Sequence, residues 1–147
     1  MTAGGVTGRP ERDPVPADVT DALVRVSFTV IALLSQVAAE HDLSLTQLRA
    51  LAILRDREPR MAELAAFLGL DRSSVTGLVS RAAQRGLVRR DASGDDGRSV
   101  RVSLTAEGRQ LARLGTAEFG ALIAPMTDRL SPADRKRLGV LLARLLE

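Results

Sequence analysis

The apolar residues of this chain keep a helical spacing up to Gly86, alternate from Leu87 to Leu104, and return to a helical spacing after Thr105. A mainly α protein with one short hairpin set between its helices follows from that order. Val19, Leu23, Val26, Val30, Leu33 and Val37 recur at intervals of 4, 3, 4, 3 and 4 residues. They lay one stripe on a helix that starts at Asp18 and runs to about Glu40. Ser44 and Gln47 have the spacing of a capping box, ahead of Leu45, Leu48, Leu51, Ala52 and Leu54 on a second helix that ends before Pro59. Two short helices separated by Gly69 fill Met61 to Gly86, and Asp71 is placed to cap the second.

Leu87 to Arg90 then lead into a turn-rich run, Asp91 to Gly97, after which Val100, Val102 and Leu104 alternate with Ser99, Arg101 and Ser103. This is a hairpin with a polar tip. Thr105 caps a helix expected to reach about Ile123, with Pro125 closing it. Ser131, Pro132 and Asp134 open a last helix carrying Leu138, Leu141, Leu142 and Leu145. Residues 1 to 17, with three glycines, three prolines and four mixed charges, bury too little to offset ordering and are expected to form a disordered N-terminal tail.

The segment Met61 to Gly86 has the pattern of a helix-turn-helix. Counted from Ala65, Leu64 lies one residue before, and Leu68, Gly69, Leu70, Val75 and Leu78 lie 3, 4, 5, 10 and 13 after. A small residue lets two helices cross closely, Gly permits a left-handed turn between them, and the Leu and Val positions fill the shared core. An ordinary helical hairpin in a core would satisfy the same spacing, so charge has to decide.

The pI of about 10.8 is not that charge. Lys136 is the sole lysine beside 20 arginines, and with no Tyr or Cys almost nothing titrates between neutrality and the guanidinium range. The formal net charge is only +3. It is distributed unevenly: Arg72 to Arg90 holds five arginines and no acid, so this 19-residue window carries +5 and the rest of the chain −2. A basic face on the second helix of the motif and on the strand after it is the electrostatic footprint of phosphate contact. With Val75, Leu78, Val79 and Ala82 on its core face, that helix turns Arg72, Ser73, Thr76, Gly77, Ser80, Arg81 and Gln84 outward, with Ser74 at the boundary. Short hydroxyls near its N-terminus suit base edges and phosphates, free amides there favour an anion, and Gly77 permits close approach to a groove wall.

Other function classes are excluded or weakened by what is missing. Without cysteine there is no disulfide framework, thiolate nucleophile or thiol redox switch, and a lone histidine, His41, argues against a multi-histidine zinc site or a Ser-His-Asp triad. Neither a metal nor a cofactor is expected, and adjacent Asp95 and Asp96 on a turn lack the fixed geometry that acid-base catalysis needs. The longest uncharged stretch, residues 26 to 39, has 14 residues against the roughly 20 that span a bilayer. No signal-peptide pattern opens the chain, so a soluble cytoplasmic protein without a membrane partner is expected.

The run LAAFLGLDRSSVTGLVSRAAQRGLVRR from Leu64 to Arg90, followed by DDGRSVRVSLTAEG from Asp95 to Gly108, resembles the winged helix-turn-helix of MarR-type transcriptional regulators. The wing pattern of that family, D-x-R, five residues, then L-T, is met by Asp96, Arg98, Leu104 and Thr105. The likeness spans residues 18 to 147. It implies a winged helix-turn-helix over 44–104 and dimerisation helices over 18–41 and 105–147. By resemblance, the second helix of the motif enters the major groove of double-stranded DNA while Arg98, oriented by Asp96, reaches the minor groove from the wing tip. Arg89 and Arg90 join the basic face. A narrow minor groove concentrates negative potential, so Arg98→Ala is expected to weaken duplex binding without unfolding the chain.

The resemblance also implies a homodimer presenting two recognition helices to a pseudo-palindromic operator, acting as a repressor. Relatives commonly answer small, often phenolic, effectors in a crevice between the dimerisation helices and the DNA-binding lobe. This chain has only Phe28, Phe67 and Phe119 for stacking, so a mostly aliphatic pocket and no effector stay equally open. His41 is expected as an exposed histidine beside a loop, with polarising a ligand or sensing pH as the alternatives. The rival from another class is a winged-helix interaction module whose basic face meets an acidic protein, or a DNA-binding protein without sequence preference.

Overall fold

The computed structural model describes residues 18 to 94 and 99 to 147. The expectations for the tail, for Asp95 and for the wing-tip residues Asp96 and Arg98 lie outside the described residues. Helices α1 (Val19–Glu40), α2 (Leu45–Asp56), α3 (Met61–Leu68) and α4 (Arg72–Gln84) precede strands β1 (Val88–Ser93) and β2 (Ser99–Leu104), and helices α5 (Ala106–Thr127) and α6 (Pro132–Leu146) follow. The strands form one antiparallel pair in which Val88 faces Leu104 and Ser93 faces Ser99.

Local chemistry sets most helix ends. The Asp18 side chain accepts from Thr20 N–H at the start of α1. Ser44 Oγ accepts from Gln47 N–H at 3.1 Å while Gln47 Oε1 accepts from Ser44 N–H at 2.7 Å, a complete capping box for α2. Thr105 Oγ1 caps α5 through Gly108 N–H at 3.0 Å, and Ser131 Oγ caps α6 through Asp134 N–H at 3.1 Å, with Pro132 in the first turn.

One core joins the first five helices to the base of the hairpin, and its most enclosed side chains are Val37, Leu64, Val75, Val79, Val102 and Leu104. The last third of α1 enters this core through Val37 and Ala38, while α5 contributes Gly108, Ala112 and Gly115. Gly108 is required by its surroundings. A Cβ there would stand 1.9 Å from the carbonyl oxygen of Leu87, so the start of α5 rests directly on the backbone entering β1.

Three sequence expectations need correction here. Pro125 does not close α5; it lies inside the helix, whose bonding resumes when Asp128 N–H donates to the Ala124 carbonyl at 2.8 Å. Proline removes only its own donor, and so close to the C-terminus one lost bond does not end the helix. The turn-rich run is shorter than expected, because Asp91 to Ser93 pair with Ser99 to Arg101 and extend the hairpin. Ser103 is buried although its place in the alternation made it polar-facing, since the end of β2 packs against α2, α3 and α5 and is covered on both faces. Its Oγ has no hydrogen-bond partner among the described residues.

α1 and α6 leave much apolar surface without a partner. Val19, Leu23, Val24, Val26, Phe28 and Ile31 are exposed on α1, as are Leu138, Val140, Leu141, Leu142 and Leu145 on α6, and no residue of α6 is buried. With its 22 residues, α1 is long and apolar enough by length and composition to cross a membrane, although its uncharged run is only 14 residues. Its C-terminal end belongs to the core just described.

Candidate nucleic-acid interface

Every position of the helix-turn-helix pattern takes the place its spacing assigned. Leu64, Ala65, Leu68, Val75 and Leu78 are buried and Leu70 is half-buried, so α3 and α4 share one apolar seam. Gly69 sits at φ 67, where Leu70 N–H can reach back to the Ala65 carbonyl at 3.0 Å and end α3. α4 then starts in a new direction with Arg72, Ser73, Ser74 and Thr76 exposed.

The N-terminus of α4 differs from the expected open anion site. Asp71 Oδ1 accepts from Ser74 N–H at 2.8 Å and from Ser73 Oγ at 2.7 Å, while Asp71 Oδ2 accepts from Ser74 Oγ at 2.9 Å. The Ser73 hydroxyl, the Ser74 amide and the Ser74 hydroxyl, in that order, hold the Asp71 carboxyl at about 2. An ionised carboxylate therefore occupies the position where free amides would attract phosphate. Because folding depresses this pKa, its contribution to stability is fully present above the ordinary aspartate range near 4 and is lost as pH falls through about 2. We expect the urea midpoint to decline across that window, and Asp71→Asn to flatten the decline; identical acid profiles would contradict the assignment.

A groove lined by arginines lies instead beside the helix. This groove of about 500 Å³ lies between the start of α3, the start of α4 and the hairpin, lined by Arg60, Arg72 and Arg90 together with Met61, Thr76 and Val100. Three elements thus each bring an arginine to one concavity, and a concavity lined by one sign of charge attracts a charged backbone. Arg60 and Arg101 form an isolated antiparallel bridge, and Val102 N–H donates to the Pro59 carbonyl at 2.9 Å, which ties the α2–α3 connection to β2. Arg60 was not among the residues inferred from sequence, because it lies outside the basic window and only this bridge brings it to the groove. Arg101 Nη1 donates to the Glu58 carbonyl at 3.1 Å and braces the same corner.

The remaining inferred residues are divided by the fold. Thr76 Oγ1 donates back to the Arg72 carbonyl at 2.8 Å, and Arg90 Nη1 donates to Ser80 Oγ at 3.4 Å, joining hairpin to helix. Arg81 and Gln84 are exposed further along α4. Gly77 is half-buried, and a Cβ there would lie 3.2 Å from Arg81 Nη1, so that guanidinium covers the glycine thought to be open to a groove wall. Arg89 and Arg90 point to opposite faces of the hairpin, as adjacent strand residues must, and only Arg90 meets the groove.

Arg85 departs from the basic face altogether. It donates to the Asp42 carbonyl at 2.9 Å and the His41 carbonyl at 3.0 Å, fastening the end of α4 to the loop after α1. His41 corrects the expectation of an exposed side chain: its ring is 17% exposed and its Nε2 lies 2.6 Å from Glu118 Oε2 on α5. The α1–α2 loop is thereby tied to both α4 and α5.

These features define a winged helix-turn-helix protein. A profile of the MarR family matches residues 41–99. Over 141 residues the chain is 30% identical to the HTH-type transcriptional regulator PecS of Dickeya dadantii (strain 3937), an alignment covering 93% of this chain and 85% of PecS. It is 32% identical over 97 residues to the uncharacterized HTH-type transcriptional regulator YfiV of Bacillus subtilis (strain 168), covering 65% of this chain and 60% of that protein. The crystal structure of wild-type apo MarR from E. coli superposes with a TM-score of 0.74 at 23% identity, covering 88% of this chain and 98% of that one. The chain belongs to the MarR family of DNA-binding transcriptional regulators.

Proposed function

We propose that this regulator binds a pseudo-palindromic operator as a homodimer, with α4 in the major groove and the duplex backbone seated between α4 and the hairpin. The observation that carries this reading is the convergence of Arg60, Arg72 and Arg90 on one groove beside the exposed face of α4. Ser73, Ser74, Thr76, Ser80, Arg81 and Gln84 supply the surface that meets base edges and flanking phosphates, with Arg81 covering Gly77. Arg89, with Asp96 and Arg98, extends the contact along the duplex. The exposed apolar faces of α1 and α6 support the dimer, since patches this extensive on one chain are covered by an isologous partner. Repression is the action that occupancy of a promoter by itself produces.

A crevice of about 210 Å³ between α1, α2 and α5 supports regulation by a small molecule. It lies where the helices reserved for the partner meet the lobe that carries α4. A ligand wedged there would alter the distance between the two recognition helices of a dimer, and that distance has to match half-sites about 34 Å apart.

Selection of bound duplexes from a random pool tests the operator reading. An inverted repeat with half-sites about one helical turn apart is expected. Retention on heparin with no enriched duplex would favour the rival module that meets acidic proteins.

A further inference from the structure

The outward face of α4 is chemically narrower than its composition suggests. Ser73 Oγ and Ser74 Oγ donate to the two oxygens of Asp71 at 2.7 and 2.9 Å, and Thr76 Oγ1 donates to the Arg72 carbonyl at 2.8 Å. Their protons are spent within the helix, so towards a base these hydroxyls can only accept. Ser80 is half-buried, and its Oγ takes a hydrogen bond from Arg90. Arg72 and Arg90 line the groove between α4 and the hairpin, whereas Arg81 and Gln84 do not. Both of these exposed side chains are without a hydrogen bond or ion pair among the described residues, and they hold the unspent donors of the exposed face.

The head of Arg81 lies ahead of its own position on the helix. Helical side chains lean towards the N-terminus, and Gly77, one turn earlier, has no Cβ to obstruct the lean. A Cβ on Gly77 would stand 3.2 Å from Arg81 Nη1 and 4.0 Å from Arg81 Cζ, so the guanidinium fills the space that a side chain at 77 would take. A residue rooted in the third turn of α4 thereby presents its donors at the second turn, nearer the end of a recognition helix that meets base edges. Gln84 is the last residue of α4 and sits furthest from that end.

The guanidinium fork sets what Arg81 can read. In the major groove guanine shows two acceptors, O6 and N7, side by side, and two N–H donors in one plane satisfy both. Adenine places an amino donor beside its N7, cytosine offers a donor, and thymine a single acceptor. Hydroxyls whose protons are spent cannot read guanine at all. We propose that Arg81, seated over Gly77, reads one guanine in each half-site and is the chief source of sequence preference, while Arg60, Arg72 and Arg90 hold the backbone irrespective of sequence. This assignment rests on the reading that α4 enters the major groove.

The test applies duplex selection from a random pool to the full chain and to Arg81→Ala, Arg81→Lys and Gly77→Leu. The parent is expected to enrich a guanine at one position of each half-site, and Arg81→Ala to enrich none there. Replacing that guanine by 7-deazaguanine in both half-sites removes N7 and keeps the base pair. It should weaken the parent about tenfold or more and leave the affinity of Arg81→Ala where it was. Arg81→Lys keeps the charge without the fork, so the salt slope should stay parental while the guanine preference falls. Gly77→Leu fills the seat and should lower the preference towards that of Arg81→Ala, with helical content retained. An Arg81→Ala protein that enriches the parental motif and loses only salt slope overturns the proposal, because Arg81 would then hold a phosphate. Parental discrimination in Gly77→Leu overturns the seat over Gly77. If the parent enriches no duplex, the operator reading fails and takes this assignment with it. If the parent enriches a motif that is indifferent to 7-deazaguanine, the operator reading stands and this assignment alone fails.

Discussion

Gly108→Ala is expected to lower the thermal midpoint by roughly 6 to 12 °C or more, because its methyl group would be forced into the carbonyl of Leu87. The contact at 1.9 Å is with backbone, so no rotamer change relieves it. Either α5 must tilt away or the strand entry must move, and both are fixed by the Thr105 N–H bond to the Leu87 carbonyl at 3.1 Å and the Thr105 Oγ1 bond to the Gly86 carbonyl at 2.6 Å. Overpacking of a core costs about 1–3 kcal/mol and occasionally more, and a clash with backbone belongs at the upper end. For a chain of this size each kcal/mol moves the midpoint by about 2–4 °C. Gly120→Ala on the same helix has the opposite expectation, since nothing lies within 4 Å of its Cβ position. It should gain about 0.5–1 kcal/mol from helix propensity. Circular dichroism melts of the two variants separate the effects, and a Gly108→Ala protein as stable as the parent would contradict this packing of α5.

The second large effect concerns association. Leu141→Glu combined with Leu145→Glu should convert a dimer into a monomer at micromolar concentration in sedimentation, with helical content retained. Both leucines are exposed on α6, 48% and 63% respectively, so the substitutions cost the isolated fold little. In an isologous dimer each change counts twice. Full withdrawal of a leucine from water is worth about 1.5–3 kcal/mol, and with about half of each side chain already covered, four leucines amount to about 3–6 kcal/mol of lost association energy. Even the lower figure raises a dissociation constant by about 10²-fold. Duplex affinity should fall with it, because one recognition helix engages one half-site. A variant that remains dimeric would move the interface off α6.

Features that depend on neighbouring residues were legible in the sequence. The capping box at Ser44, the left-handed turn at Gly69, the Asp71 cap and the buried seam of α3 and α4 all follow from residue types at short spacing. What was not legible depends on contacts across long separations. Arg60 reaches the groove only because it pairs with Arg101, 41 positions away. Ser103 follows the strand alternation that predicts exposure, yet helices from both sides of the chain close over it. His41 looked solitary because Glu118, its partner, is 77 residues further on. The basic window from Arg72 to Arg90 did not tell its arginines apart. Arg85 in that window fastens the α1–α2 loop, Arg89 turns away from the groove, and Arg72 and Arg90 share it with an arginine the window omitted.

The salt dependence of duplex affinity measures the central claim, that Arg60, Arg72 and Arg90 together hold the DNA backbone. On a duplex recovered by selection, the slope of log affinity against log salt should be reduced by about 0.9 for each of these arginines replaced by alanine. Arg60→Ala, Arg72→Ala and Arg90→Ala combined should therefore flatten it by about 2.7 per protomer, with an unchanged thermal midpoint. A triple variant that keeps the parental slope and affinity would show that the groove does not hold the backbone.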